Sequence, residues 1–323
     1  MNQKICALVV TYNRPQLLCE CLTAIVNQST SVSEIIILDN YSDEVTLSTL
    51  FNAQFIPQYT LETVVKGGVS QFEYVTNSAN KIKIHYYRLP QNTGGAGGFN
   101  AGMRYFYQKT DCDFLWLMDD DSKPDLNALH ELVVAYNKLS PLVSLGYICS
   151  QVRWIDDSPC RMASPKLLEY GGIDRYSESN PVIRVQNSSF VSLFIIRKVV
   201  NCIGLPYKEF FIWADDLEYT SRINKSYVSY VALKSIVVHH TKHNQATSLD
   251  AITESNFFKY KYGLRNELFF LRQNNKLRAF SFFIKKTFAI LTSEISIFHR
   301  IKLLCALSSG FIFVPEIEFP NDI

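Results

Sequence analysis

The chain of 323 residues lacks three features that would assign it to a specialised class of protein: a long apolar run, a marked excess of charge and a paired-cysteine motif. A membrane-spanning helix needs about 18 consecutive apolar residues. The longest candidate, 303–314, is shorter and contains Ser308, Ser309 and Gly310. Lysine and arginine number 32 against 30 acidic residues, a net charge of +2, and no basic run occurs. We therefore expect neither a spanning segment nor a nucleic-acid partner.

The eight cysteines are scattered along the chain, and none forms a CxxC pair. Several stand inside apolar stretches, including Cys6 and Cys305, which favours reduced core thiols over disulfides or a zinc site. The first strand-like segment, 5–10, comes almost at once, without a cationic leader or cleavage site before it. These patterns predict a cytoplasmic protein.

Hydrophobic residues make up 47% of the sequence and charged residues 19%, which is typical of a globular protein with a sizeable core. In the first half, short apolar runs such as 5–10 and 114–118 alternate with helical stretches. This alternation predicts an α/β fold with a mostly parallel central sheet. In such sheets ligands bind beyond the carboxyl ends of the strands, and the predicted ends carry Thr11, Asp39 and Asp119.

Other expectations concern the organisation of the chain. Residues 51–80 interrupt the alternation of strands and helices, so we expect an inserted hairpin or lid there. We expect a helix over 124–140 and two short strands around a turn over 227–239. Late in the chain the composition becomes aromatic, basic and helical. We therefore predict a main domain over 1–255 and a helical region over 256–323.

The strongest local signal is the run of three aspartates that follows an apolar strand. Adjacent carboxylates repel one another unless a cation neutralises them. Alternate residues at a strand end point the same way, so Asp119 and Asp121 could face one ion, and carboxylate oxygens suit Mg²⁺ or Mn²⁺. A solvated acidic turn before the next helix is the alternative. His239 and His240 follow a later short strand, and are either structural residues or further metal ligands.

Two more segments are candidates for ligand contacts. The glycine-rich stretch 92–102 could bring backbone N–H groups close to an anion at a helix start, or could be a packing turn. It is neither a Walker A loop nor a good dinucleotide fingerprint. In 211–219, acidic residues enter a helix beside Trp213. Asp215 or Asp216 could act there as a general base, or both could simply complement the helix dipole.

Together these motifs resemble those of the GT-A fold glycosyltransferases of family 2. The arrangement is most similar to their galactofuranosyl- and rhamnosyltransferase branch, from bacterial cell-surface polysaccharide pathways. The resemblance runs through LVVTYNRP, ILDNYSD, NTGGAGGFNAG, LWLMDDDSKPD, WADDLEY and the VVHH strand to NFFKYKYGLRNELFFL. It implies a GT-A fold, a nucleotide-diphosphate sugar as donor, a glycan or lipid-linked glycan as acceptor, and a divalent metal ion, Mn²⁺ or Mg²⁺, as cofactor.

The resemblance also implies roles for individual residues. Those implied to bind the nucleotide sugar are Thr11, Arg14, Asp39, Asn92, Gly97, Gly98 and Asp120, with Asp39 accepting a hydrogen bond from a uracil or thymine N–H. The metal ligands are implied to be Asp119, Asp121 and one of the two histidines, and strand register favours His239 over His240. Asp216 matches the general base. The acceptor side is implied to include Trp213 and Asp215.

In the implied reaction, Asp216 removes the acceptor proton while the oxygen attacks the anomeric carbon opposite the leaving nucleotide, which inverts the anomeric configuration. We expect the charge of Asp215 to keep the pKa of Asp216 at or above its ordinary value. UDP-galactofuranose is the leading donor and dTDP-rhamnose the runner-up. An inactive nucleotide-sugar-binding protein is disfavoured because the acidic and histidine motifs persist together. A nucleotidyltransferase is disfavoured because its glycine-rich loop would normally follow the first strand.

The region 256–323 mixes aromatic with basic residues. This combination is typical of a helix that lies on an anionic membrane, and a lipid-linked acceptor at the inner leaflet would explain it. A helical subdomain packed on the main domain and a homodimer contact are the alternatives.

Overall fold

A computed structural model of the protein describes residues 3–64, 67–76, 79–168, 181–244 and 248–322. Its strands are β1 (Ile5–Thr11), β2 (Glu34–Asp39), β3 (Gly68–Val75), β4 (Lys81–Arg88), β5 (Phe114–Asp119), β6 (Ser122–Pro124), β7 (Leu145–Trp154), β8 (Lys166–Leu167), β9 (Val182–Asn187), β10 (Leu193–Ile196) and β11 (Val228–His239). Its α-helices are α1 (Pro15–Val26), α2 (Glu44–Asn52), α3 (Gln58–Thr63), α4 (Gly94–Lys109), α5 (Ala128–Leu139), α6 (Arg197–Ile203), α7 (Asp215–Ile223), α8 (Phe257–Asn274), α9 (Lys276–Thr292) and α10 (Ile297–Ser309).

The strands within these ranges form one twisted sheet in the order β3-β4-β2-β1-β5-β10-β7-β11-β9-β8, with β6 added beside β11. The adjacent strands β4, β2, β1 and β5 are parallel, and antiparallel pairs extend the sheet on both sides. The register places Thr11 beside Asp39, and Asp39 beside Arg88. The predicted α/β fold is confirmed, and its parallel part carries the polar residues at one edge.

Helices cover both faces of the sheet because the central strands are apolar on both sides. Alternate residues of β1 pack against α1 and α5 on one face and against α4, α6 and α7 on the other. Val9 belongs to the first of these cores and Leu8 to the second, and both are fully buried. A continuous apolar strand of this kind is what a parallel sheet between two helical layers requires.

Two of three local expectations were wrong. The segment 227–239 forms the single strand β11, in which an irregular register after Ala232 accommodates the polar residues that suggested a turn. Ser235, in this irregular stretch, is buried, and its hydroxyl donates to the carbonyl of Ala128. The helix expected from residue 124 begins four residues later, because the preceding residues pair with β11 as β6. For 51–80, where we expected a hairpin or a lid, the hairpin is the better description, because β3 pairs antiparallel with the next strand, β4.

The helices α8, α9 and α10 pack around a small core of their own, which includes Leu264, Leu268 and Leu303. The chain then returns to the sheet domain, where Glu318 accepts hydrogen bonds from Asn100 and Arg104 of α4. A domain boundary after residue 255 stays a prediction. Over the ranges described above, no helix has both the length and the apolar character needed to cross a membrane.

Candidate functional site

The acidic triplet meets a histidine from a distant part of the chain at the carboxyl edge of the sheet. β5 ends at Asp119, the chain turns, and β6 pairs with β11 so that Ser122 lies opposite His239. This pairing brings His239 Nε2 to 3.0 Å from Asp121 Oδ1. One ligand-type atom from each of Asp119, Asp121 and His239 lies within 4.8 Å of the other two. These three side chains form a compact donor group.

The electrostatics of this group fit a divalent cation. Burial, reinforced by the charge of Asp121, raises the pKa of Asp119 to about 7. Burial also raises the pKa of Asp120 to about 6, although Arg14 opposes this shift. Such raised pKa values mean that the surrounding positive charge is too small to stabilise the ionised carboxylates. Carboxylate oxygens suit Mg²⁺ and Mn²⁺, so the residues present can hold a divalent ion that would compensate their charge.

The two adjacent histidines take different positions. Burial by itself would lower the pKa of His239, but hydrogen bonds with Asp121 and Cys160 raise that pKa to about 10. The Cys160 sulfur lies 3.7 Å from His239 Nδ1. His240 donates its backbone N–H to the carbonyl of Asp121 at 2.8 Å, and its imidazole lies outside the donor group. Neighbouring side chains at a strand end point to opposite sides, so the structure brings only His239 to the aspartates.

Thr11 and Arg14 contact the acidic triplet directly. Thr11 Oγ1 donates to Asp120 at 2.7 Å. The Arg14 guanidinium, which is half exposed, contacts Asp120 at 3.2 Å and Asp121 at 2.5 Å. Burial and the nearby charge of Arg14 lower the pKa of Lys259 in α8. A second cation from the helical region, which the sequence patterns did not indicate, therefore lies within electrostatic range of Arg14.

Asp39, the last residue of β2, lies in the interior of the protein. It is fully buried, and its carboxylate accepts hydrogen bonds from Tyr86 Oη at 2.6 Å and from the Ser42 N–H at 2.7 Å. The expected contact of Asp39 with a uracil or thymine N–H stays a prediction. Arg88 Nε lies 3.5 Å from the same carboxylate. The Arg88 side chain also packs over the ring of Tyr41, at 5.4 Å from its centre.

Arg88 is a candidate that sequence reasoning missed. Its Nε and Nη1 atoms are buried without a hydrogen-bond partner, and buried donors of this kind are uncommon in proteins. The signal was available in the sequence, because β4 ends on Arg88 at the same edge as Asp39. An arginine with unused donors at a ligand-binding edge is a candidate for contact with a ligand carbonyl or phosphate.

The glycine-rich segment begins α4, but two of its glycines have packing roles. A Cβ on Gly98 would lie 2.6 Å from Val10, and a Cβ on Gly97 would lie 2.5 Å from Thr93. Gly98 therefore lets α4 lie close to the sheet, and the expectation that these two residues approach a ligand stays a prediction. Asn92 accepts the N–H of Gly94 at 2.8 Å and so holds the turn before the helix.

The loop before α7 has an unusual backbone. Phe211, Trp213 and Ala214 have positive φ angles of 62°, 67° and 68°, which non-glycine residues seldom adopt. The fully buried amide of Asn266 in α8 holds this loop. Its nitrogen donates at 2.9, 3.1 and 2.9 Å to the carbonyl oxygens of Phe210, Ile212 and Trp213. The helical region thus fixes the backbone that leads into α7.

This loop positions Trp213, Asp215 and Asp216. The Trp213 ring packs edge-on against Tyr260 at 5.1 Å and against Gly263, where a Cβ would come within 2.5 Å of the ring. Burial raises the pKa of Asp216 to about 6. The expected direction of this shift is confirmed, but burial causes it rather than Asp215. Burial and the charge of Asp216 raise the pKa of Asp215 well above its ordinary value.

Comparisons with known proteins identify the family. A model described as glycosyl transferase family 2 matches residues 6–58 and 70–180, about half of the chain. The chain belongs to glycosyl transferase family 2. A curated relative of this glycosyltransferase is the galactofuranosyltransferase GlfT1 of Mycolicibacterium smegmatis, which is 27% identical over 234 residues. That match spans 70% of the chain and 67% of the relative.

Solved structures share the fold of this glycosyltransferase at low identity. GalNAc-T7, solved with UDP, GalNAc and Mn²⁺, is 14% identical with a TM-score of 0.58. The match covers 84% of this chain and 48% of the GalNAc-T7 chain. Residues 1–349 of S. aureus TarS, solved with UDP, are 13% identical with a TM-score of 0.51, over 96% of this chain and 72% of that one. These similarities support the GT-A fold.

Proposed function

We propose that this glycosyltransferase transfers galactofuranose from UDP-galactofuranose to a hydroxyl group of a glycan or lipid-linked glycan, in the synthesis of a cell-surface polysaccharide. The galactofuranosyltransferase relative supports the sugar. Two structural neighbours, GalNAc-T7 and TarS, were solved with UDP, which supports a uridine nucleotide. dTDP-rhamnose is the alternative donor, and binding of a nucleotide sugar without turnover is the alternative function.

One observation carries the proposal. A donor group suited to a divalent ion, formed by Asp119, Asp121 and His239, stands at the carboxyl edge of the sheet. Burial and the charge of Asp216 raise the pKa of Asp215 at the start of α7, and the charge of Asp119 adds to this shift, which supports a position of the α7 carboxyl groups within electrostatic range of that donor group. A nucleotide-sugar transferase needs both elements together, one beside the diphosphate and one beside the acceptor hydroxyl.

Residues of the parallel strands would hold the nucleotide. The unused donors of Arg88 would reach a carbonyl oxygen of the base, with Asp39 beneath it and the exposed Tyr41 ring beside it. Arg14, which contacts the acidic triplet, would place positive charge near the diphosphate. Lys259, whose pKa the charge of Arg14 helps to lower, would add a second positive charge on the same side. A divalent ion bound by the donor group would neutralise charge on the departing nucleotide.

Asp216 is the proposed general base. The acceptor oxygen forms a bond to the anomeric carbon as the bond from that carbon to the diphosphate oxygen breaks, and Asp216 takes the hydroxyl proton. The attack comes from the face opposite the nucleotide, so the product has the inverted configuration. Because burial raises the pKa of Asp216 to about 6, the base is ionised above that pH. We therefore expect turnover to fall as the pH drops through about 6.

The test combines a donor panel with two matched variants. UDP-galactofuranose, UDP-galactopyranose and dTDP-rhamnose are each supplied, and nucleotide release is measured. Asp216→Asn should keep donor affinity and lose about 10²–10⁴-fold in turnover, the usual contribution of a general base. Asp215→Asn, its neighbour in the same helix turn, should lose much less. A fully active Asp216→Asn enzyme would refute the mechanism, and turnover of dTDP-rhamnose alone would refute the proposed donor.

A further inference from the structure

The helix α9 exposes a continuous apolar stripe. Five of its side chains, spaced three or four residues apart, lie on one narrow arc of the helix because such spacing returns to the same face. Each of them is between 51% and 83% exposed. They are Leu277, Phe280, Ile284, Phe288 and Leu291. Contact with the rest of the protein comes from another side of the helix, where Ala279 and Ile290 are buried against α8 and α10.

Positive charge predominates in the part of the chain that carries this stripe. Between residues 276 and 314 the sequence has a single acidic residue, Glu294, and six lysines and arginines. Lys276 and Lys285 flank the stripe on opposite sides of the helix, at positions that follow from its period. The next helix, α10, also has exposed apolar side chains, because Ile297 and Ile301 are more than half exposed.

We propose that the apolar stripe of α9 binds an anionic lipid surface, with the helix lying in the plane of the membrane. Exposed Phe and Leu side chains would enter the boundary between headgroups and acyl chains, and the flanking lysines would contact the anionic headgroups. A second copy of the chain fits less well as the occupant. Pairing two such stripes would bring together two surfaces with six lysines and arginines and one acidic residue each, Glu294, so most of the positive charge would stay unpaired.

The geometry adds a consequence for the transferase. The stripe belongs to the same helical unit as α8, whose Asn266 holds the loop before Asp216. If the acceptor is lipid-linked, as the proposed function allows, a membrane-bound α9 would keep the active site near that acceptor. Lipid binding itself does not depend on the donor sugar or on Asp216, so the two proposals can fail separately.

The experiment uses the full-length protein and needs no substrate. Sedimentation is measured with vesicles of phosphatidylcholine and phosphatidylglycerol in a ratio of about three to one, and with pure phosphatidylcholine vesicles. The doubly substituted F280Q/F288Q variant should bind the anionic vesicles at least about tenfold more weakly. K276E/K285E should weaken binding to the anionic vesicles by at least about fivefold for each lysine replaced. The control is V75Q/L142Q, which removes two equally exposed apolar side chains from the sheet domain and should bind as the parent does.

Three results would overturn the proposal: no binding of the intact protein to anionic vesicles, equal binding by F280Q/F288Q and the parent, or equal loss in the V75Q/L142Q control. Light scattering on the same proteins tests the rival occupant. A parent dimer that F280Q/F288Q converts to a monomer, together with no vesicle binding, would assign the stripe to a second copy of the chain.

Discussion

Asn266 offers a sharp test of how the helical region supports catalysis. Its Nδ2 atom faces three carbonyl oxygens of the loop before α7, and its Oδ1 atom accepts from the Arg265 guanidinium at 2.9 and 3.0 Å. This environment fixes which end of the amide carries the hydrogens. Asn266→Asp keeps the size and shape of the side chain but places an oxygen opposite the three carbonyls. The loop would then lose its donors and meet repulsion instead.

The size of the effect follows from these contacts. Two N–H groups serve the three carbonyls, and each hydrogen bond contributes about 0.5–1.5 kcal/mol net. The substitution should therefore destabilise the loop by roughly 1–3 kcal/mol. Each positive φ angle in this loop has a cost of about the same order, so the backbone of Phe211, Trp213 and Ala214 should relax. A shift of about 1 Å at Asp216 would lower turnover by about 100-fold.

The assay separates positioning from folding. Donor affinity is measured by calorimetry, turnover by nucleotide release, and stability by thermal unfolding. We expect nearly parental donor affinity, because Thr11 and Arg88 belong to β1 and β4 whereas Asn266 holds the loop before α7. Turnover should be lowered about 10- to 100-fold. Asn274→Asp, an exposed change in the same helix, is the matched control. Parental turnover in Asn266→Asp, or a loss that merely matches the unfolded fraction, would refute the reasoning.

Three further expectations follow. His239→Ala should weaken Mn²⁺ binding by more than about tenfold, measured by calorimetry with the metal alone. His240→Ala should change this binding little, since only His239 adjoins the aspartates. Equal losses from the two substitutions would remove His239 from the metal site. Arg88→Met should weaken UDP binding by about tenfold or more, the value of hydrogen bonds from a charged donor, and an unchanged affinity would leave its unused donors unexplained. Gly98→Ala should lower the free energy of unfolding by about 1–3 kcal/mol through overpacking against Val10, and a stable variant with impaired donor binding would instead restore Gly98 as a ligand contact.

The sequence by itself determined the class of fold and the position of the acidic site. Buried parallel strands read as continuous apolar runs, so the polar residues at their ends stand out, as Asp39 and Asp119 do. The metal-type spacing of Asp119 and Asp121 is likewise a local property, because alternate residues at a strand end share a side. Such features depend on neighbours in the chain, and a linear pattern retains them.

Tertiary structure alone decided which residues meet. Strand register in the sequence favoured His239 over His240, but the contact of His239 with Asp121, 118 positions away in the chain, forms only because β6 pairs with β11. Gly98 has a packing role because α4 lies close to β1, and the expected turn within 227–239 became a register irregularity in β11. Asn266 holds a loop that precedes it by more than 50 residues. Contacts of this kind arise only when distant segments pack together, and no local pattern in either segment specifies its partner.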